Sequence, residues 1–141
     1  MAGAVTLGRI DAQERRFADA FAAGDISLAA DLYHPAVVYL TPTTRLFGWD
    51  RRIEGIERTL EFIRLTITDC HNIVYQLDER AVLPDRSSAY ARIMFDWDTG
   101  PDRLRSTYVV VYRYLDEQIA QQELYYDPGD QLERIGDSHG R

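Results

Sequence analysis

The chain has 141 residues, of which 45% are hydrophobic and 28% are charged, and its formal net charge is −7 at pH 7. This length fits a single domain, and the acidic balance argues against a nucleic-acid partner, because phosphate binding needs concentrated positive charge. A single cysteine, Cys70, excludes an internal disulfide and a cysteine-rich metal site.

Two helices are predicted at the start of the chain. The first helix is predicted over residues 11–23. Its apolar residues recur at helical spacing, namely Ile10, Phe17 and Phe21. Gly24 is placed to end this helix. Asp25 can cap a second, shorter helix that Pro35 would end. That helix would contain Leu28, Leu32 and Tyr33.

A short strand and a third helix follow. Residues 37–40 read as the strand, closed by Pro42, and Asp50 is expected to cap the helix. The apolar positions of this helix recur at intervals of three and four residues, which is the strongest periodic signal in the chain: Ile53, Ile56, Leu60, Ile63 and Ile67. The β-branched pair Thr66 and Ile67 suits an end near there.

From Cys70 onward the apolar period changes to two, which predicts strands. They cover residues 71–77, 89–97, 103–114 and 119–126. Residues 98–102 are expected to be a loop and residues 116–118 a tighter turn. Helices followed by antiparallel strands predict an α+β fold. One domain is expected over residues 1–128, and residues 129–141 are expected to be a loosely held tail.

Strand alternation predicts which side chains point inward. In the second long strand the inward set would be Ala89, Ala91, Ile93, Phe95 and Trp97. In the third, one face carries Tyr108, Val110 and Tyr112. The other face carries Val109 and Val111, and a strand that is apolar on both faces needs a second cover. A homodimer formed through this outer face, with Tyr125 also buried there, would supply it.

The register of the last hairpin decides the site, because a slip by one residue exchanges the two faces of a strand. A two-residue turn would place Glu123 and Tyr125 inside. A three-residue turn over residues 116–118 would bury Leu124 and expose Glu123, and we favour it. Its pairs would be Tyr112 with Gln122, Val110 with Leu124, and Tyr108 with Tyr126.

Several stretches, in this order and spacing, resemble the nuclear transport factor 2-like superfamily with its SnoaL-like members. They are Phe17–Asp25, Leu32–Val37, Phe47–Asp50, Tyr112–Ile119 and Tyr125–Pro128. The resemblance implies a cone-shaped α+β barrel (a cystatin-like roll), with three N-terminal helices packed on a curved, mainly antiparallel sheet around a deep apolar pocket. Fold alone does not define the function, because relatives include enzymes and non-catalytic proteins.

The catalytic groups of the ketosteroid isomerases that the chain resembles are not matched. Their base is a carboxylate, and their oxyanion hole consists of a tyrosine and a protonated aspartic acid. Alignment places Phe17 at the tyrosine, Thr41 at the base and Val110 at the aspartic acid. Isomerase chemistry of that type is therefore not expected.

The limonene epoxide hydrolases, also similar in sequence order, use two aspartates bridged by an arginine. Leu124 falls at the second aspartate position, and aligning Arg92 with the arginine places Met94 at the first. That alignment would also point Arg92 and Met94 inward, which conflicts with the prediction that the apolar set of this strand points inward. SnoaL-like cyclases use an Asp/His pair, and no inward pair of this kind emerges.

The predicted catalytic residues are Gln122, Tyr108 and Tyr39, as neutral donors that orient a carbonyl or phenol. An amide in an apolar cone needs partners, and a ligand is a natural one. The predicted ligand-binding residues are Phe17, Phe21, Thr41, Trp49, Val110, Tyr112, Leu124 and Tyr126. The pocket is expected to lack an inward carboxylate. Trp49 with Phe47 could instead staple the third helix.

No metal or other cofactor is expected, because His34, His71 and His139 are scattered and lack metal-ligand spacing. His71 in proton transfer and Asp127 in catalysis are minority interpretations beside structural ones. No apolar run approaches a membrane span and the start lacks signal-peptide order, so a cytoplasmic location is expected. All 16 basic residues are arginine, which indicates a GC-rich, bacterial genome.

Two functions remain open. The first is an enzyme of the cyclase, isomerase, dehydratase or hydrolase type that acts on a small, apolar, oxygenated molecule. The second is a non-catalytic ligand-binding protein or dimeric scaffold that has kept the pocket. A ligand bound in the pocket would be the observation that best separates them.

Overall fold

The computed structural model describes residues 4–125 and 133–137 of the chain, which form an α+β fold. Its helices are α1 (Leu7–Ala23), a first 3-10 helix (Ile26–Leu32), a second 3-10 helix (Pro42–Phe47) and α2 (Ile56–Asp69). Its strands are β1 (Tyr33–Leu40), β2 (Arg52–Glu54), β3 (His71–Val82), β4 (Ser88–Thr99), β5 (Asp102–Leu115), β6 (Gln118–Tyr125) and β7 (Glu133–Asp137). None of the described helices has the length and apolar character needed to cross a membrane.

Helix α1 begins and ends at caps that its sequence supplies. The Thr6 side chain accepts a hydrogen bond from the Arg9 amide at 3.1 Å. Gly24 ends the helix with φ of 67°, a left-handed conformation that favours glycine, and its amide donates to Ala20 and Phe21 carbonyls. The predicted end at Gly24 is confirmed, and the helix starts one turn earlier than expected.

The predicted second helix is shorter and tighter than expected. Asp25 does cap it, accepting from the Ser27 amide at 3.0 Å. However, Tyr33 opens β1 instead of ending the helix, and Pro35 lies inside the strand. Pairing of Tyr33 with Ile119 of β6 explains the difference, because the strand ladder extends to this residue.

The third predicted helix also starts later. Gly55, not Asp50, occupies the position before α2, and Ile53 belongs to β2, where it pairs with Tyr39 of β1. The two 3-10 helices and β2 thus replace part of the predicted three-helix arrangement. The periodic apolar positions from Ile56 onward do form the packed face of α2.

The strands form one sheet in the order β2-β1-β6-β5-β4-β3, with β7 also paired to β5. All pairings are antiparallel except that of β1 with β6, which is parallel. The parallel pair joins the helical first half of the chain to the strands of the second half. All five predicted strands are present, with bounds that differ somewhat from the prediction.

A bulge sets the register of the last hairpin. The turn contains two residues, Asp116 and Glu117, rather than the expected three. An irregularity in β6 between Ile119 and Gln121 inserts one extra residue, so that Tyr112 pairs with Gln122 and Val110 with Leu124. The predicted pairing of these residues is therefore confirmed, although the bulge and not the turn produces it. The third predicted pair involves Tyr126, which lies outside the described residues.

Part of the segment expected to be a loose tail is a strand. Glu133–Asp137 pairs with the start of β5, and Arg134 donates to Asp102 at 2.7 Å. The expectation of a loose tail is corrected for these five residues. Asp127 and His139 lie outside the described residues.

The two faces of the sheet differ as alternation predicts. The inner face is apolar, and Ala89, Ala91, Ile93 and Phe95 of β4 are all buried on it. On the outer face Val109 and Val111 are half-buried, and Tyr125 is 44% exposed. The predicted burial of these three residues in a dimer stays a prediction.

Candidate functional site

A carboxyl group lies inside the fold, on the apolar face of α1. Glu14 follows Ile10 by one turn and precedes Phe17, and only 2% of its surface is exposed. Tyr75 of β3 donates its hydroxyl to Glu14 Oε1 at 2.5 Å. The Tyr112 hydroxyl lies 3.1 Å from each carboxyl oxygen.

A third group completes this arrangement, because Gln13 Nε2 donates to Glu14 Oε2 at 2.9 Å. We call Gln13, Glu14, Tyr75 and Tyr112 the Glu14 cluster. It corrects the expectation that the interior holds no carboxylate. All four residues are at least nine-tenths buried.

Burial decides the protonation behaviour of the cluster. It raises the pKa of the Glu14 carboxyl above its ordinary value of 4.5, while hydrogen bonds from Gln13, Tyr75 and Tyr112 act in the opposite direction. Burial also raises the pKa of Tyr75 and Tyr112 well above the usual value for a phenol. Both tyrosines are therefore neutral near pH 7 and keep their hydroxyl hydrogens.

The same heavy atoms can satisfy either form of Glu14. When it is ionised, Tyr75, Tyr112 and Gln13 all donate to it. When it is neutral, its own proton can be given to the Tyr112 oxygen, while Tyr75 and Gln13 continue to donate. A proton can therefore be transferred to or from Glu14 while the heavy atoms stay in place and only hydroxyl hydrogens reorient, which suits a general acid or base.

Gln122, predicted to be catalytic, lies beside this cluster. It is 7% exposed, and its Oε1 accepts from the Tyr33 hydroxyl at 2.8 Å. It also pairs with Tyr39 on one side and with Tyr112 on the other. Tyr112 is therefore the neighbour of Gln122 in the sheet and contacts the carboxyl of Glu14 with its hydroxyl.

Tyr39 and Tyr108, also predicted to be catalytic, are turned toward the same interior. Burial raises the pKa of both phenols, and the nearby Tyr39 raises that of Tyr108 further. The nearby Thr41 side chain acts in the opposite direction on the pKa of Tyr39. In the part of the chain that the structure describes, neither the Tyr108 hydroxyl nor Gln122 Nε2 has a hydrogen-bond partner. We call these two groups the donor pair.

The structure places the other predicted lining residues in three surroundings. Val110, Tyr112 and Leu124 are buried on the inner face of the sheet. Phe17 contacts Tyr33 and Tyr75, with ring centroids 5.8 and 6.3 Å apart. Thr41 is fully buried and caps the second 3-10 helix, where its Oγ1 accepts from the Thr43 amide.

Trp49 does not lie with the polar interior. Its ring packs on Phe62 of α2 at 5.7 Å, and the Arg58 guanidinium lies 3.7 Å above it. Phe47 contacts the same Phe62 ring. These contacts agree with the alternative that Trp49 and Phe47 staple α2 to the preceding loop. The predicted lining residue Tyr126 lies outside the described part.

An open groove of about 520 Å³ lies at the C-terminal ends of α1 and α2, lined by Phe21–Gly24, Ile67 and Cys70–Val74. Its floor adjoins the Glu14 cluster, because Phe21 stacks on Tyr75 with centroids 5.2 Å apart. His71 is exposed at its edge. Burial raises the pKa of the Cys70 thiol to about 11, so it is not a thiolate near pH 7.

Arg92, the residue considered in the epoxide hydrolase alignment, is exposed and pairs with Asp78 at 3.3 Å. It therefore points away from the interior, as alternation predicts. Over residues 4–125 and 133–137 there is no group of three or more His, Cys, Asp or Glu side chains that could hold a metal ion.

Sequence reasoning missed Glu14, although a signal for it exists. The predicted apolar face of α1 runs from Ile10 to Phe17, and the positions of that face between them hold no apolar residue. The turn between these residues is filled by Gln13 and Glu14, which must then lie on the buried face. A charged residue on such a face needs partners, and the inward tyrosines supply them.

Comparisons with known proteins agree with this architecture. A sequence profile of the SnoaL-like domain matches residues 15–122. The fold is similar to TsrD from Streptomyces laurentii, with a TM-score of 0.68 and 20% identity over 87% of this chain and 91% of that one. It is also similar to an NTF2-like protein from Anabaena variabilis, with a TM-score of 0.74 and 15% identity over 86% and 89%.

A third similar structure is an LEH-like epoxide hydrolase of Mycobacterium tuberculosis, with a TM-score of 0.64 and 18% identity over 85% of this chain and 84% of that one. No curated protein matches the chain significantly. At these identities the structural likeness establishes the fold and not the reaction.

Proposed function

Because the chain belongs to the SnoaL-like domain family, within the nuclear transport factor 2-like superfamily, we propose that it is an enzyme acting on a small, uncharged, oxygenated molecule. The observation that carries this proposal is the buried Glu14 carboxyl among tyrosine hydroxyls, beside the donor pair of Tyr108 and Gln122. The reaction would be of the cyclase, isomerase, dehydratase or hydrolase type.

The proposed roles follow from hydrogen-bonding capacity. The Tyr108 hydroxyl and Gln122 Nε2 each have a hydrogen to donate, so they would hold the oxygen of a carbonyl, epoxide or phenol. Glu14 would give a proton to that oxygen through the Tyr112 hydroxyl, leaving a carboxylate that Tyr75 and Gln13 stabilise. A negatively charged ligand would enter a buried space that already holds the acidic Glu14 side chain, which disfavours its binding.

One observation favours a second candidate, a non-catalytic binding protein. Among the described residues, every side-chain nitrogen or oxygen that solvent does not reach has a hydrogen-bond partner, including those of the Glu14 cluster, and the two groups of the donor pair fall outside this set. A network whose groups satisfy one another can serve stability alone. In that case the donor pair would still bind a ligand, but Glu14 would not change it.

A homodimer through the outer face of the sheet is proposed as the assembly. Val74 and Tyr125 are 42% and 44% exposed, and Val109 and Val111 on the same face are half-buried. Apolar surface of this kind is commonly covered by a partner. The proposed location is the cytoplasm.

The test uses a panel of uncharged ketones, epoxides and phenols, each assayed for binding by tryptophan fluorescence and for conversion by mass spectrometry. We expect the wild type to convert a member of the panel and Glu14→Gln to bind it without conversion. Glu57→Gln, an exposed residue in the first turn of α2, is the matched control and should behave as wild type. Binding without conversion by the wild type would favour the second candidate, and conversion by Glu14→Gln would overturn the acid role.

A further inference from the structure

The Glu14 cluster continues outward to the protein surface. The Tyr114 hydroxyl donates to Gln13 Oε1 at 2.7 Å, and the other end of the same amide donates to Glu14 Oε2. Tyr114 is half-buried, and the Arg9 guanidinium lies 4.8 Å above its ring. Arg9 also donates to the Glu117 carbonyl in the β5–β6 turn.

We propose that Gln13 and Tyr114 are positioning residues that keep an amide hydrogen pointed at the Glu14 carboxyl and thereby set the pH at which Glu14 exchanges its proton. This inference rests on the proposed function of Glu14 as an acid. Neither residue needs to touch the substrate.

Two hydrogen bonds fix the orientation of the Gln13 amide. An amide has an acceptor end and a donor end, and only the acceptor end can receive the hydrogen from a phenol. Because Tyr114 binds Oε1, the Nε2 end of Gln13 is held toward Glu14. A donor held in place stabilises the ionised carboxylate and opposes the effect of burial.

Packing alone does not explain Gln13. It is 4% exposed on a helix face whose neighbouring buried residues are largely apolar. Burying an amide costs free energy unless its hydrogen bonds are made, so an aliphatic residue would fill this volume at lower cost. The amide is useful here because both of its ends are bound, one by a phenol and one by an acid.

The other groups around Glu14 are neutral or lie nearer the surface, so the Gln13 amide is the group that can adjust the pKa of Glu14. The titratable groups turned toward it are phenols from β1, β3 and β5, namely Tyr33, Tyr75, Tyr108, Tyr112 and Tyr114. Their pKa values are all raised by burial, so they are neutral in the working range. Charged groups on the packed elements lie nearer the surface, namely Arg9 and the pairs Arg16–Asp31 and Arg80–Asp11.

The test follows the titration of Glu14 by carbon-13 NMR of side-chain-labelled glutamate, with the signal assigned by its loss in Glu14→Gln. Gln13→Leu removes a donor to a carboxylate, and we expect the midpoint to rise by about 1 to 2 pH units. Tyr114→Phe removes one hydroxyl and frees the amide to turn, so a smaller rise is expected. Tyr90→Phe is the control, because its hydroxyl lies near Glu79 on the outer face.

A Glu14 midpoint that is unchanged or lowered in Tyr114→Phe would overturn this inference, as would a Glu14 signal that titrates in none of the proteins. Tyr114→Phe keeps the aromatic ring, so this variant still tests the inference if Gln13→Leu fails to fold. The proposed function fails separately, when Glu14→Gln still converts the substrate. If the Glu14 midpoint shifts in Tyr114→Phe but Glu14→Gln still converts the substrate, the positioning role of Gln13 and Tyr114 is retained. The catalytic role of Glu14 is then rejected.

Discussion

The Tyr112 hydroxyl is equidistant, at 3.1 Å, from the two carboxyl oxygens of Glu14. This contact joins the middle of α1 to the part of β5 that lies near the β5–β6 turn, and both residues are buried. It lets the phenol serve either oxygen, so the acid does not have to rotate when its proton moves. Four consequences of the surrounding structure can be measured.

The first prediction concerns stability against pH. Because the pKa of Glu14 is raised in the folded protein, the native state holds this proton more tightly than the unfolded chain does. The contribution of Glu14 to stability is thus greatest below its ordinary value of 4.5 and falls as pH rises toward the native pKa. Each pH unit between the two values costs about 1.4 kcal/mol.

Urea unfolding across this range should show the free energy of unfolding of wild type falling relative to that of Glu14→Gln. Glutamine does not titrate, so the variant lacks this loss. Glu57→Gln, on the exposed face of α2, should track the wild type. A difference between wild type and Glu14→Gln that is constant with pH would show that the carboxyl titrates normally.

The second prediction concerns the contribution of Gln122 to stability. Because Tyr33 donates to its Oε1, Gln122→Leu would leave a buried hydroxyl unpaired and should lower stability by about 1 to 3 kcal/mol. Tyr33→Phe removes that hydroxyl, so the double variant should recover part of the loss. Gln121→Leu, one residue away on the outer face, is the control. Strictly additive losses would mean that the two side chains do not interact.

The third prediction tests the two-residue turn that, with the bulge, sets the register. Asp116 and Glu117 have φ of 52° and 66°, a region that costs side-chain-bearing residues free energy. Replacing them by Asn-Gly should raise stability by about 1 kcal/mol, because this pair favours a hairpin turn with both residues at positive φ. Glu117→Val should lower the melting temperature. Equal melting temperatures for all three proteins would argue against this turn geometry.

The fourth prediction concerns the outer face of the sheet. If a second copy covers Val109 and Val111, light scattering at micromolar concentration should give a dimer, and Val109→Glu should give a monomer. Leu28→Glu, on a 3-10 helix where the side chain is 48% exposed, should remain dimeric. A monomeric wild type would remove the need for a partner on this face.

Much of the architecture could be predicted because burial leaves periodic traces. The regular spacing of α2 and the alternation of β4 identified their buried faces, and Gly24 marked the end of α1. The inward position of Gln122 was also predicted, although the turn is one residue shorter than expected. A bulge leaves no periodic trace, because its extra residue is defined by the partner strand.

The site was predicted less well, and the reason is specific to Glu14. Charged residues are usually exposed, so a charged residue in the apolar face of a helix is interpreted as a gap in that face. Its stability inside depends on partners 61 and 98 residues away in sequence, Tyr75 and Tyr112. No local pattern carries that information, whereas the tyrosines and Gln122 could be placed by strand alternation alone.

The separation of these partners has a kinetic consequence. The Glu14 and Tyr112 contact spans 98 residues and the Tyr33 and Gln122 contact spans 89, so each closes a loop of more than half of the 141-residue chain. Closure of such long loops precedes the gain from the contacts, which slows folding of topologies like this one. A ligand bound between these side chains would tie the first third of the chain to the last, and would therefore resist unfolding of the whole domain at once.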